Sequence, residues 1–153
     1  MLLYVVRHGD ALPGEPDGQR PLSPIGIKDA MTLAGFLKKK EMRPSAIYHS
    51  GLKRARETAE ILAKGLGSRV RVLARSSLLP EDPIQSLCDD LSKNPEDVMI
   101  VGHLPSLSNL VSRLITGSER KEIIDFKKGA LVVLERNNNG EWKIKWFIIP
   151  KLL

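Results

Sequence analysis

Two rhythms of apolar residues alternate along this chain. Residues 2–6 are apolar without interruption, as in a strand buried on both faces, and 45–49 and 98–101 read as two further short strands. Between them, apolar residues fall at intervals of three and four. Ile27, Ala30, Met31, Ala34 and Leu37 predict a helix that starts at Ser23-Pro24, a hydroxyl at the N-cap with proline at the first helical position. It runs to about Lys40, and Pro44 breaks the chain beyond it. Ala55, Ala59, Leu62 and Leu66 mark a second helix over 52–64, stopped by Gly65 and Gly67. A loop bracketed by Pro80 and Pro83 precedes a third helix over 84–91. Leu107, Leu110, Val111 and Leu114 mark a fourth over 104–115, with Gly117 after its end.

The remaining segments complete the pattern. Residues 10–22, rich in Gly, Pro and Asp, read as a loop. Residues 69–73 alternate charged and apolar side chains, as an exposed or edge strand does. Residues 130–135 and 142–149 are β-rich and flank Asn137-Asn138-Asn139-Gly140, a hairpin turn. No internal repeat or linker interrupts the chain. Strands alternating with helices predict an α/β fold: a three-layer α/β/α sandwich with a mostly parallel central sheet and a C-terminal antiparallel hairpin, in a single domain over 1–153.

Composition removes several alternatives. Hydrophobic residues make up 42% and charged residues 27% of 153 positions, the balance of a globular protein with a proper core. No apolar run approaches the roughly 20 residues of a membrane span, and the N-terminal run is too short for a signal peptide. Cys88 is alone, which leaves no disulfide framework or thiolate metal cluster and points to a reducing cytoplasm. The net charge of +6 suits an anionic partner, but the basic residues are scattered and aromatics are only 5%. The expectation is therefore solvated basic faces, with neither nucleic acid nor membrane as partner.

In an open α/β sheet, ligands collect beyond the carboxyl ends of the strands. Three such places carry unusual residues here: Arg7-His8-Gly9, His49-Ser50-Gly51 with Arg54 one turn on, and Gly102-His103. Singly, each has an ordinary reading: a hydrogen-bonded structural histidine, a surface salt bridge, a solvated helix face, a helix cap. Together, two histidines beside glycines and two arginines are hard to explain by folding needs. Arginine offers a planar fork of donors that matches phosphate oxygens. A neutral imidazole can attack phosphorus in line and become phosphorylated. A second, protonated histidine would stabilise charge on the equatorial oxygens. The adjacent glycines would let the ligand approach closely. Such chemistry requires no metal and no cofactor.

These segments resemble the signatures of the histidine phosphatase (phosphoglycerate mutase-like) superfamily. Arg7-His8-Gly9 is similar to its RHG motif, and Ser50 to Ala59 to its S-x-x-x-R-A-x-x-T-A segment. Val101-Gly102-His103-Leu104-Pro105, Asp10-Ala11 and Arg20-Pro21-Leu22-Ser23-x-x-Gly26 resemble its small branch, the SixA-type phosphohistidine phosphatases. The resemblance implies His8 as nucleophile, with Arg7, Arg54 and His103 completing the phosphate pocket. Arg20 is either a contact at its mouth or a surface loop arginine. Ser50 and Thr58 either orient Arg54 or cap its helix. Gly51 departs from a frequent proline and His49 from a small residue; His49 reads as structural or as part of the rim. For the acid that protonates the leaving group, Glu81 and Asp82 are the candidates, on a loop that could equally be a helix entry capped by Asp82.

Three functions fit these residues. The first is a metal-independent phosphatase working through a phosphohistidine intermediate on a phosphorylated substrate, such as a phosphohistidine-bearing protein. The resemblance favours it, because the chain leaves no room for the inserted subdomain that covers the pocket in mutases. The second is the same chemistry on a small phosphomonoester, a sugar or nucleoside phosphate. The third is a phosphate-binding module without turnover.

Overall fold

A computed structural model describes residues 1–67 and 69–153. Its strands are β1 (Leu2–Arg7), β2 (Ala46–His49), β3 (Arg71–Ala74), β4 (Val98–Gly102), β5 (Leu131–Arg136) and β6 (Trp142–Ile148); its helices are α1 (Pro24–Lys39), α2 (Lys53–Leu66), α3 (Gln85–Lys93) and α4 (Ser106–Thr116). One six-stranded sheet runs in the order β3-β2-β4-β1-β5-β6. The first four are parallel, and β5 and β6 add an antiparallel hairpin beside β1. Ser23 caps α1 as its sequence position predicts, its hydroxyl accepting the Gly26 N–H at 3.1 Å.

The uninterrupted apolar run of β1 is explained by two cores. Leu3 and Val5 point into one, shared with α3 and α4; Tyr4 and Val6 point into the other, shared with α1 and α2. β4 divides in the same way, Val98 and Ile100 to the first side and Met99 and Val101 to the second. A period of two along each central strand thus feeds two helical layers, so neither face carries polar residues. The outer strands differ. β3, at one edge, is largely exposed, and so is β6 at the other, where Lys143 and Lys145 blunt the edge against pairing with another chain. Among the described residues, no helix is long and apolar enough to cross a membrane.

Gly65 does not stop α2. The helix continues to Leu66, and Gly67, at φ 113°, ends it. Gly65 serves a packing need instead: a Cβ there would lie 2.5 Å from the Cβ of Ala34 on α1. The α1–α2 contact is therefore closer than two ordinary side chains allow. Gly65→Ala should destabilise the protein by about 1–3 kcal/mol, although removal of a helical glycine normally stabilises by about 1 kcal/mol. Adding Ala34→Gly should restore part of the loss in urea melts; purely additive costs would contradict the contact.

Candidate active site

Register brings the two distant histidines together. β1 and β4 are parallel neighbours with Arg7 opposite Gly102, so His8 and His103 leave adjacent strands at the same level. Their ring centroids lie 4.9 Å apart. β2 flanks β4 on the other side with His49 opposite Val101, which brings Ser50 level with Gly102. Ser50 Oγ lies 2.6 Å from His103 Nε2. Arg54 stands in the first turn of α2, which follows directly, and is buried with the pair. His8, Arg54 and His103 expose 8%, 6% and 2% of their surface, so the polar cluster sits within the protein rather than on it. Arg7 is anchored by a hydrogen bond from Nη1 to the Phe126 carbonyl at 2.8 Å.

The glycines around the histidines act differently from the expectation that they make room for a ligand. A Cβ on Gly9 would lie 3.1 Å from the Gly26 carbonyl and from Leu22 Cδ2. One on Gly26 would lie 2.2 Å from the Asp10 carbonyl. These two glycines let the strand end press against the start of α1. Ser23 locks that contact, its N–H donating to the Asp10 carbonyl and its hydroxyl to the Asp10 carboxylate. On the other side the Gly9 N–H donates to Thr58 Oγ1 at 3.1 Å, while Thr58 donates to the Arg54 carbonyl. Thr58 thus ties the segment bearing His8 to the helix bearing Arg54. His49 and Gly51 form one local device. Gly51 adopts φ 90°, and its N–H donates to His49 Nδ1 at 3.1 Å. Proline has neither that conformation nor that N–H, so the two departures from the family pattern belong together.

Proton positions follow from these contacts. His8 Nδ1 lies 2.7 Å from the Gly9 carbonyl, an acceptor only, so Nδ1 carries the hydrogen and Nε2 keeps its lone pair. Burial pushes His8 down to about 4; the Gly9 carbonyl opposes this, and the charges of Arg54, Arg7 and Lys128 add to it. Burial, with His8 and Arg54 beside it, pushes His103 down to about 3, while Asp17 opposes. Both rings are therefore neutral at pH 7. For His103 this differs from the protonated state expected, and only the compensating charge of a bound dianion would favour its protonation. Arg7 Nε and His103 Nδ1 are buried without a hydrogen-bond partner among the described residues.

The other candidates, Glu81, Asp82 and Arg20, stand on loops. Asp82 accepts the Leu79 N–H at 2.8 Å and so closes its own turn, and Glu81 is exposed. Among the described residues, no hydrogen bond or ion pair joins either to the histidines. Arg20 lies at the rim, donating from Nε to the Leu12 carbonyl and pairing through Nη1 with Asp17 at 3.1 Å. Asp17 escapes the sequence reading altogether. Its carboxylate lies 3.2 Å from Arg54 Nη2, and its carbonyl accepts from Arg54 Nη1 at 3.1 Å. A Pro-Asp-Gly turn three residues before Arg20 was the available signal, but it marks only a turn.

Comparison with known proteins agrees with this geometry. The profile of the histidine phosphatase superfamily (branch 1) matches residues 3–77. A metal-independent phosphoserine phosphatase of Arabidopsis thaliana is 42% identical over 67 residues, which cover 40% of this chain and only 28% of that protein. Among solved structures, the protein histidine phosphatase SixA complexed with tungstate superposes with a TM-score of 0.89 at 24% identity, covering 99% of both chains. A phosphoserine phosphatase mutant from Entamoeba histolytica, in complex with phosphoserine, gives 0.75 at 16% identity, covering 99% of this chain and 98% of that one. The structural likenesses establish the fold, and the profile match over residues 3–77, with the motifs on adjacent strand ends, gives the chain its resemblance to the histidine phosphatase superfamily.

Proposed function

We propose that this protein is a phosphatase that passes the phosphoryl group through His8, with a phosphohistidine-bearing protein as its substrate. The observation that carries the reading is the state of His8: neutral, its hydrogen fixed on Nδ1 by the Gly9 carbonyl, and its Nε2 bare on a ring 4.9 Å from that of His103. A nucleophile needs that lone pair, and burial keeps it unprotonated throughout the physiological range.

Arg7 and Arg54 bind the phosphoryl oxygens, and the Arg7 Nε–H gains an acceptor there. His8 Nε2 attacks phosphorus in line; the bond to the leaving group breaks, and its electron pair departs with that group. Phosphorylated His8 is an imidazolium whose Nδ1–H remains on the Gly9 carbonyl. Ser50 Oγ lies 2.6 Å from His103 Nε2; with the hydroxyl as donor there, the His103 hydrogen stands on Nδ1, the atom without a protein partner, as a donor to a phosphoryl oxygen. Water then attacks phosphorus, the P–N bond to His8 breaks with its electron pair returning to Nε2, and inorganic phosphate leaves carrying both of the water's protons.

Glu81 and Asp82, the two acids that the sequence offers for protonating the leaving group, play no part in these steps. An imidazole leaving group needs less protonation than an alkoxide, which agrees with the likeness to SixA. The second reading, a small phosphomonoester as substrate, has its own support in the likeness to phosphoserine phosphatases. Relative kcat/KM on a phosphohistidine-bearing carrier protein, phosphoserine and a panel of sugar phosphates separates the two.

A labelled phosphodonor and an acid quench test the intermediate. The label should appear as an acid-labile, base-stable adduct on His8 and vanish in His8→Ala; saturable phosphate binding without turnover would identify a binding module instead. Ser50→Ala should lower kcat/KM by about threefold to tenfold, the worth of one hydrogen bond.

Stability should follow pH with a definite sign. Both histidines have folded values below the ordinary 6.5, so the unfolded chain binds more protons and stability falls as pH drops from 6.5 toward 4. Between pH 7 and pH 5 each histidine should account for about 2 kcal/mol. Urea melts of His103→Asn should show a smaller drop over that interval than the native chain; an equal drop would contradict the buried neutral state.

A further inference from the structure

We infer that Asp17 selects substrates whose leaving group carries an N–H on the side away from the scissile bond, favouring phosphoryl transfer from an imidazole over transfer from an alkoxide. The inference rests on the transfer to His8 proposed above and adds the feature that chooses the donor.

Asp17 is a fixed charge. Its loop is fastened by the Leu12 N–H to the Pro21 carbonyl, by Arg20 Nε to the Leu12 carbonyl, and by the Leu22 N–H to the Glu57 carboxylate. One carboxylate oxygen faces Arg20 and the other faces Arg54, and the side chain is 62% exposed, so it stands at the rim with one edge on the pocket arginine and the other toward solvent. Its field reaches His103. The hydrogen bond from Arg20, with the charge of Arg54, keeps it ionised below the usual carboxylate range.

An ionised carboxylate is a poor proton donor, so Asp17 gives no help to a departing alkoxide. It also repels any phosphoryl dianion held by Arg54. A substrate escapes that penalty if it brings a proton donor between the two negative groups. An N-phosphorylated imidazole does so, because its second ring nitrogen carries an N–H when protonated, on the edge away from phosphorus. A phosphate ester has only a bridging oxygen there. With Asp17 accepting this N–H, the substrate ring is an imidazolium. His8 Nε2 forms its bond to phosphorus, the P–N bond breaks, and its electron pair stays on the substrate ring, which departs as neutral imidazole. No proton moves. The exchange is nearly symmetric about phosphorus: the Gly9 carbonyl holds the outer N–H of the incoming ring, and the Asp17 carboxylate holds that of the outgoing ring.

The test compares Asp17→Asn with the native enzyme on N-phosphoimidazole and on p-nitrophenyl phosphate. For N-phosphoimidazole, kcat/KM should fall about tenfold, the loss of one charged hydrogen bond at an exposed position. The alkaline limb of its pH profile should move to lower pH, because the carboxylate no longer favours the protonated ring. For p-nitrophenyl phosphate, kcat/KM should rise, since a negative charge beside the pocket is gone. If the two values fall in parallel, as displacement of Arg54 alone would cause, or if neither changes, the role of Asp17 is overturned while the His8 adduct still forms in the native enzyme. If the native enzyme forms no His8 adduct, the transfer itself fails, and this inference with it.

Discussion

The site depends on the pairing of β1 with β4. Five consecutive residue pairs, from Leu3 with Val98 to Arg7 with Gly102, fix the level at which His8 and His103 emerge. That register is enforced from both faces, because each strand sends alternate residues into two different cores. A slip by one residue would exchange the side chains offered to the two helical layers and separate the histidines by about 3.3 Å along the strand. Core packing and site geometry are therefore one constraint. The apolar run at the start of the chain holds His8 in place as surely as the hydrogen bonds at its end.

Burial has a second consequence, which is electrostatic. Two imidazoles and a guanidinium cannot all be charged in so small a volume without a counter-ion, and the imidazoles yield because their protons are the more easily lost. What remains is positive charge on the arginines and a free electron pair on His8. A phosphoryl dianion needs the first, and attack on phosphorus needs the second. Desolvation and the neighbouring positive charges thus divide the protonation states among side chains that the sequence shows only as basic.

The layers, the mostly parallel sheet with its final hairpin and the three motif-bearing strand ends were legible because each rests on local signals: apolar periodicity, the Ser23-Pro24 helix start, the Asn137–Gly140 turn. What was not legible lies in contacts between segments remote in sequence. Gly65 reads as a helix stop until Ala34 is seen against it, and Gly9 reads as room for a ligand until Gly26 and Leu22 fill that space. Ser50 was weighed as a partner of Arg54 and instead meets His103, 53 residues away. His49 and Gly51, each a departure when compared with the family pattern, make sense only as acceptor and donor in one turn. Asp17 was one acidic residue in a loop of turn formers, and nothing local distinguishes an acid that faces Arg54 from one that faces water.

Pocket and rim carry different information. In the transfer proposed for His8, the arginines and histidines at the strand ends meet only the phosphoryl group, which every phosphorylated substrate shares, so likeness in these parts cannot separate a phosphohistidine from a phosphoserine. Discrimination has to come from groups that touch the leaving side of the phosphorus. Of the acidic side chains weighed for that side, Glu81 and Asp82 belong to a separate turn, whereas Asp17 is bound to the pocket arginine itself. A carboxylate held ionised there cannot serve as the acid an alkoxide requires. It can only accept, and a phosphorylated imidazole is a leaving group with a proton to offer.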